Sequence, residues 1–247
     1  DAWRTLLATA RIHWIYQDVQ SPDALIDTIE RRFAALPERR TTTVTEDHSY
    51  TVKTDKLVET MPVKQAKLVL GLRIAAVEPN GPINATRLMT ALLGGCPSSL
   101  LFRHVREELS LCYYCAARYD RLSGILLIDS GVEAASAIRA RDEILRQIEA
   151  IKDGRFTDEE LEDARRSLIQ HFAACEETPE DIEAYYISQT LHDRYITVAE
   201  TIDALRAVTR DEVQSAARML HYDATYLLCP DDEEVAQAIS VIFFFNV

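Results

Sequence analysis

The chain has 247 residues, of which 47% are hydrophobic and 27% charged, and its formal net charge is −13. This length and composition are typical of a globular protein with one large or two small domains. The negative charge argues against nucleic acid and acidic membranes as partners, because both would repel such a surface.

The cysteines and the absence of targeting segments in the sequence indicate a cellular compartment. Five scattered cysteines are typical of reduced thiols rather than of a disulfide scaffold. The sequence shows neither a secretion signal nor an apolar run long enough for a transmembrane helix. We therefore expect a cytoplasmic protein. The chain starts with Asp1 inside an amphipathic pattern, so we also expect a fragment of a longer protein.

The first third of the chain predicts a short α/β segment followed by a linker. "RIHWIYQDV" (11–19) is typical of a buried strand, and residues 21–36 carry apolar side chains at helical spacing. Residues 1–40 are interpreted as the trailing helix-strand-helix of an upstream α/β domain. The sequence then becomes Thr-rich and charged, and we assign a linker to residues 41–65.

Residues 66–247 are predicted to form a complete domain. The pattern gives a strand, two helices, a hairpin of two strands, five further helices and a last strand. Three helices begin with a capping box, in which a threonine precedes a glutamate by three residues. These are Thr157 with Glu160, Thr197 with Glu200, and Thr209 with Glu212. The order indicates an α+β fold with a mixed or antiparallel sheet and helices on one face.

The stretch "LGGCPSSLLFRHVREELSLCYYC" (93–115) contains two patterns that could carry chemistry. The glycine pair Gly94-Gly95 follows a helix and lacks a lysine, so it predicts a tight turn rather than a phosphate loop. Cys112 and Cys115 spell C-x-x-C inside a strand, where an offset of three places side chains on opposite faces. We therefore expect two separate thiols that neither share a metal nor act as a functional pair.

The histidines and carboxylates do not form a metal site or a catalytic site. No H-x-x-E-H motif is present, and no two of the six histidines lie four residues apart. The acidic pairs are typical of helix starts and solvated faces. His104 is interpreted as a structural residue. We expect no catalytic residue, metal ligand or cofactor in this chain.

The same stretch resembles the insulinase-type, or pitrilysin-like (M16-like), zinc peptidases, in particular their zinc-lacking bacterial branch. Their pattern runs Leu-Gly-Gly-Gly-x-Ser-Ser-x-Leu-Phe, followed by a helix containing Val-Arg-Glu-Lys and a strand containing tyrosine. "AKLVLGLR" (66–73) and "GRFTDEELEDARRSL" (154–168) are also similar to that family. The positions that match the main motif are Leu93, Gly94, Gly95, Ser98, Ser99, Leu101, Phe102, Val105, Arg106, Glu107, Leu111 and Tyr113.

The resemblance covers residues 11–229 and implies a repeated α/β domain that helps to enclose a peptide in a clamshell chamber. In this family an arginine and a tyrosine seven residues apart reach the substrate, and Arg106 and Tyr113 have this spacing. The resemblance implies that Arg106 offers charge-assisted hydrogen bonds and Tyr113 a phenolic donor. It also implies a dimeric system in which zinc is held by a homologous partner or by an upstream domain.

Three departures from the family pattern leave the role of the chain open. Cys96-Pro97 replaces the third glycine, Glu108 stands where the family has lysine, and the zinc motif is missing. The leading interpretation is a non-catalytic segment or subunit of an insulinase-type peptidase system that contributes Arg106 and Tyr113 to peptide binding. One alternative is the C-terminal half of an active zinc peptidase whose H-x-x-E-H lies upstream. The other is a purely structural assembly subunit.

Overall fold

The computed structural model of the protein describes residues 2–34, 39–41, 55–74, 83–121, 123–190 and 195–230. The chain divides into two compact units. The smaller unit comprises residues 1–49 and 175–195, and the larger unit comprises residues 50–174 and 196–247. Within the described residues, no helix combines the length and apolarity needed to cross a bilayer.

The described residues form eight α-helices and five strands. In chain order the regular elements are α1 (Ala2–Thr9), α2 (Asp23–Ala34), β1 (Asp55–Met61), β2 (Ala66–Ile74), α3 (Ile83–Thr90), β3 (Cys112–Asp120), β4 (Ile125–Val132), α4 (Ala137–Lys152), α5 (Asp158–Ala174), α6 (Pro179–Thr190), α7 (Val198–Ala207), α8 (Arg210–Arg218) and β5 (Leu220–Pro230). Two π-helical segments, Ala91–Gly95 and Phe102–Glu108, follow α3, and a 3₁₀ turn, Ala134–Ser136, precedes α4. We call Phe102–Glu108 the Arg106 segment.

The smaller unit contains α1, α2 and α6. One strand that the sequence predicted in this unit is not formed. Residues 11–18 adopt no regular structure, although the sequence predicted a buried strand. Trp14 is 61% exposed. The centre of its ring lies 5.9 Å from the centre of the Phe33 ring, in an edge-on arrangement. A strand needs a neighbouring strand for its backbone hydrogen bonds, and in the described part of the chain residues 11–18 have none.

The larger unit is built on a five-stranded sheet with the order β1-β5-β2-β4-β3. β1 runs parallel to β5, whereas all other neighbours are antiparallel. β1 lies inside the predicted linker 41–65 and forms one edge of the sheet, while β3 forms the other. The predicted division into 1–40, 41–65 and 66–247 itself stays a prediction.

The core lies between one face of this sheet and the helices. Along β2 every second residue is buried, from Ala66 to Ile74, while Lys67 is exposed. The buried side chains of α3, α4, α5 and α8 join the same cluster. The predicted α+β fold, with a mixed sheet and helices on one face, is confirmed.

Local sequence signals are accurate in the larger unit. The predicted hairpin is present, formed by the antiparallel strands β3 and β4. All three predicted capping boxes are present: Thr157 exchanges hydrogen bonds with Glu160, and both α7 and α8 begin with a reciprocal pair. Each box satisfies amide groups that the first helical turn would leave unpaired. These signals succeed because they depend only on residues a few positions apart.

Candidate functional site

The glycine pair packs the chain closely against strand β3. A Cβ atom on Gly94 would lie 2.8 Å from the Ala117 amide nitrogen and 2.9 Å from both the Ala117 Cβ and a Leu101 methyl. Backbone cannot move aside as a flexible side chain can, so only glycine fits at this position. Gly94 therefore allows the π-helical segment Ala91–Gly95 to pack against the strand that carries Tyr113. The tight turn lies directly after the glycine pair, where the Ser99 amide donates to the Cys96 carbonyl at 3.1 Å.

The Arg106 segment is anchored to α5 by charged side chains. Arg103 forms an ion pair with Glu160 of α5. His104 contacts Arg103 through Nε2 at 3.3 Å and Glu108 through Nδ1 at 2.7 Å. Val105 is fully buried. Glu108 is thus the hydrogen-bond partner of His104, and the structural role of His104 stays a prediction.

Arg106 takes no part in these contacts. Its residue is exposed, and its guanidinium carbon lies 4.6 Å from the centre of the Phe102 ring. Such stacking is worth about 0.5–1 kcal/mol at an exposed site and limits the positions that the guanidinium can take. In the described ranges no hydrogen bond or ion pair engages this group, so its five donors are available to a ligand.

A tight turn joins the Arg106 segment to β3. The Leu109 amide donates to the His104 carbonyl at 3.3 Å, and the Leu111 amide donates to the Val105 carbonyl at 2.9 Å. Ser110 has a φ of 50°, which is the left-handed conformation that a serine seldom adopts. The turn therefore fixes where β3 starts relative to the residue that precedes Arg106.

Tyr113 is the extra residue of a β-bulge at the start of β3. Cys112 pairs with Val132 and Tyr114 pairs with Gly131. Val132 and Gly131 are adjacent on β4, so Tyr113 has no partner residue on that strand. Bulges at sheet edges redirect side chains, and Tyr113 is 59% exposed on the edge strand. Among the described residues, no hydrogen bond engages its hydroxyl. Both predicted site residues therefore present unengaged polar groups on adjoining segments.

The bulge also contradicts the predicted separation of the two cysteines. Cys112 lies opposite Val132 and Cys115 lies opposite Ser130. Val132 and Ser130 are two residues apart on β4 and therefore lie on the same face of the sheet. The two cysteines opposite them share that face. Each thiol also shifts the pKa of the other, downward for Cys112 and upward for Cys115. The prediction of opposite faces was wrong because it assumed unbroken alternation.

No arrangement in the described residues suits a metal ion: no three His, Cys, Asp or Glu side chains converge there. The sequence lacks the zinc motif as well. The expectation that zinc is held outside this chain stays a prediction.

The comparison with known families decides the family. A family model described as "Peptidase M16 inactive domain" matches residues 20–168. The chain belongs to this family. The predicted resemblance to the M16-like peptidases is thereby confirmed.

Individual relatives agree with this family and show how much of a whole protein the chain represents. The chain is 26% identical over 177 residues to "Probable inactive metalloprotease YmfF" of Bacillus subtilis, covering 72% of the chain and 42% of the relative. It is 26% identical over 201 residues to "Uncharacterized zinc protease YmxG" of the same organism, covering 80% and 48%. The chain thus spans about half the length of these curated relatives.

A solved structure shows the same fold. The crystal structure of a peptidase M16 inactive domain from Pseudomonas fluorescens superposes with a TM-score of 0.71 at 21% identity. The match covers 86% of this chain and 52% of that one.

Proposed function

We propose that this M16 domain is a non-catalytic part of a zinc peptidase system and that Arg106 and Tyr113 contact the peptide substrate. The observation that carries the proposal is the bulge that exposes Tyr113 on an edge strand directly after the Arg106 segment. The family match to an inactive domain supports the non-catalytic role.

The two groups suit the chemistry of a peptide bond. A guanidinium can donate two hydrogen bonds to a carbonyl or to the oxyanion that forms during hydrolysis. The Tyr113 hydroxyl can add a neutral donor. The open edge of β3 offers backbone groups that an extended peptide can pair with. In this proposal a homologous zinc-bearing domain or subunit faces the site and performs the hydrolysis.

A second candidate is the C-terminal half of an active zinc peptidase. It is favoured by the match to a relative named a zinc protease, of which the chain spans 48%. In that case the zinc motif lies in the same polypeptide. The two candidates give Arg106 and Tyr113 the same role, and the sequence of the full-length protein distinguishes them.

Photo-crosslinking tests the peptide contact without requiring turnover. Tyr113 is replaced by p-benzoylphenylalanine in the full-length protein, which is irradiated with a biotinylated random decapeptide library. The control carries the same replacement at Tyr195, which is 56% exposed in the smaller unit. We expect peptide adducts at position 113 and few at position 195. Equal labelling of both positions would contradict the proposal.

A further inference from the structure

The thiols of Cys112 and Cys115 lie together on the core-facing side of β3. Cys112 is partly buried against the core and Cys115 is 6% exposed. Their partners on β4, Val132 and Ser130, are two residues apart. At about 3.4 Å per residue this puts the cysteine Cα atoms about 7 Å apart, just beyond the usual span of a disulfide, so the bridge requires a small movement of the bulged backbone. In an unbroken strand they would be about 10 Å apart, on opposite faces.

The surroundings make the two thiols chemically different. The hydrogen bond from Cys115 lowers the pKa of Cys112 to about 7, helped by the Ser130 hydroxyl and the positive charge of Arg106, although partial burial opposes this. The same hydrogen bond and burial raise the pKa of Cys115. Near neutral pH Cys112 is therefore the thiol of the pair that ionises, while Cys115 stays protonated. A partly exposed thiolate beside a cation is the reactive form of cysteine.

We propose that Cys112 and Cys115 form a reversible dithiol–disulfide site on β3, oxidised by a hydroperoxide and reduced by a small thiol. The site rests on the bulge and on the shared face of the two cysteines. It requires no peptide binding and is independent of the function proposed above.

The reaction balances in two steps. The Cys112 thiolate attacks the O–O bond of the hydroperoxide, so an S–O bond forms and the leaving oxygen takes a proton to become water or an alcohol. The Cys115 sulfur then attacks the sulfenic sulfur of Cys112: the S–S bond forms, the S–O bond breaks, and the Cys115 proton leaves with the hydroxide as water. The two thiols lose two electrons to the peroxide, and two equivalents of a small thiol return them.

Tryptic mapping reads this site directly. Cleavage after Arg106 and Arg118 yields residues 107–118, which contain Cys112 and Cys115 and no other cysteine. The full-length protein is treated with hydrogen peroxide, alkylated and digested. We expect this peptide to lose two hydrogen atoms, to resist alkylation at both cysteines, and to recover both thiols after dithiothreitol.

Two variants assign the roles. Cys115→Ser removes the second thiol, so Cys112 should accumulate as a sulfenic acid that dimedone traps. Cys112→Ser should leave Cys115 reduced under the same treatment. Circular dichroism confirms that both variants fold.

Cys175 serves as the matched control, because it is the other partly exposed cysteine and burial raises its pKa. At pH 7 iodoacetamide should modify Cys112 at least about fivefold faster than Cys175, since the larger thiolate fraction outweighs the lower nucleophilicity of a more acidic thiol. Oxidation of Cys112 to sulfinic acid without a bridge, or equal reactivity of Cys112 and Cys175, would overturn the proposal.

Discussion

The Leu111 amide donates a 2.9 Å hydrogen bond to the carbonyl of Val105. This bond ties the start of β3 to the segment that carries Arg106, and the bulge two residues later exposes Tyr113. The two proposed peptide contacts are therefore fixed by backbone geometry rather than by contact between their own side chains. Changes to the surrounding packing and changes to the two polar groups should have separable effects.

Gly94→Ala should destabilise the larger unit. The new Cβ would lie 2.8 Å from the Ala117 backbone nitrogen, so the π-helical segment Ala91–Gly95 must move away from β3. Overpacking of this kind costs about 1–3 kcal/mol, measurable by urea denaturation. In the control Gly71→Ala the new Cβ meets its nearest atom at 3.8 Å, and the free energy of unfolding should change by less than about 1 kcal/mol. Equal losses in both variants would disprove the close contact.

Arg165 should matter far more to stability than the adjacent Arg166. The buried Arg165 guanidinium donates to the carbonyls of Leu205 and Val208 at the end of α7. Arg165→Ala leaves these acceptors without their donor, which should cost about 2–4 kcal/mol. The Arg166 side chain is 69% exposed and pairs with Asp163 at 3.2 Å, so Arg166→Ala should cost less than about 0.5 kcal/mol. Thermal and urea unfolding provide the comparison.

Alkylation of Cys112 should follow a titration with a midpoint near pH 7, the pKa of its thiol. The thiolate is the reacting form, so the rate should rise with pH through this midpoint and fall about tenfold per pH unit below it. Cys115→Ala removes the hydrogen-bond donor that is the largest cause of the lowered pKa, and should move the midpoint upward. Peptide-resolved labelling with iodoacetamide across a range of pH gives the profile. A midpoint that does not move would show that Cys115 does not stabilise the thiolate.

The chain by itself should hold no stoichiometric zinc. The prediction rests on the missing H-x-x-E-H motif, because a peptidase zinc needs three protein ligands. The measurement is elemental analysis after mild chelation, with the complex or full-length protein as control. One tightly held zinc per chain would contradict it.

Sequence patterns predicted the elements whose signals are local. The capping boxes at Thr197 and Thr209 and the β3–β4 hairpin need only neighbouring residues, and each was found where it was expected. Residues 11–18 show the limit of this reasoning: an apolar run becomes a strand only if another strand pairs with it, and the run does not contain that information.

The sequence predicted only the local part of the candidate site. The motif located Arg106 and Tyr113 on a segment and the following strand. It could not predict the bulge, because register is a relation between Tyr113 and its partners on β4. A shift of one residue reverses the face of every later side chain, and it brought Cys112 and Cys115 together where alternation had predicted separation.

Tyr113→Phe should reduce peptide turnover by the full-length protein with its zinc-bearing partner. The change removes one neutral hydrogen bond, worth about 1 kcal/mol or roughly fivefold, without removing core volume. The control Tyr114→Phe alters the neighbouring exposed tyrosine and should leave turnover unchanged. If the two variants behave alike, the Tyr113 hydroxyl does not contact the substrate.

Peptide turnover by Arg106→Ala, with Arg118→Ala as control, tests the central claim most directly. Arg118 is an arginine on β3 whose side chain is 75% exposed. Each variant therefore removes one positive charge, Arg106→Ala just before β3 and Arg118→Ala on β3 itself. Loss of a donor to the developing oxyanion costs about 3 kcal/mol. We therefore predict that Arg106→Ala lowers kcat/KM by about a hundredfold or more with an unchanged melting temperature, while Arg118→Ala retains turnover. Unchanged turnover in Arg106→Ala, or an equal loss in both variants, would contradict the proposed role of Arg106 in peptide hydrolysis.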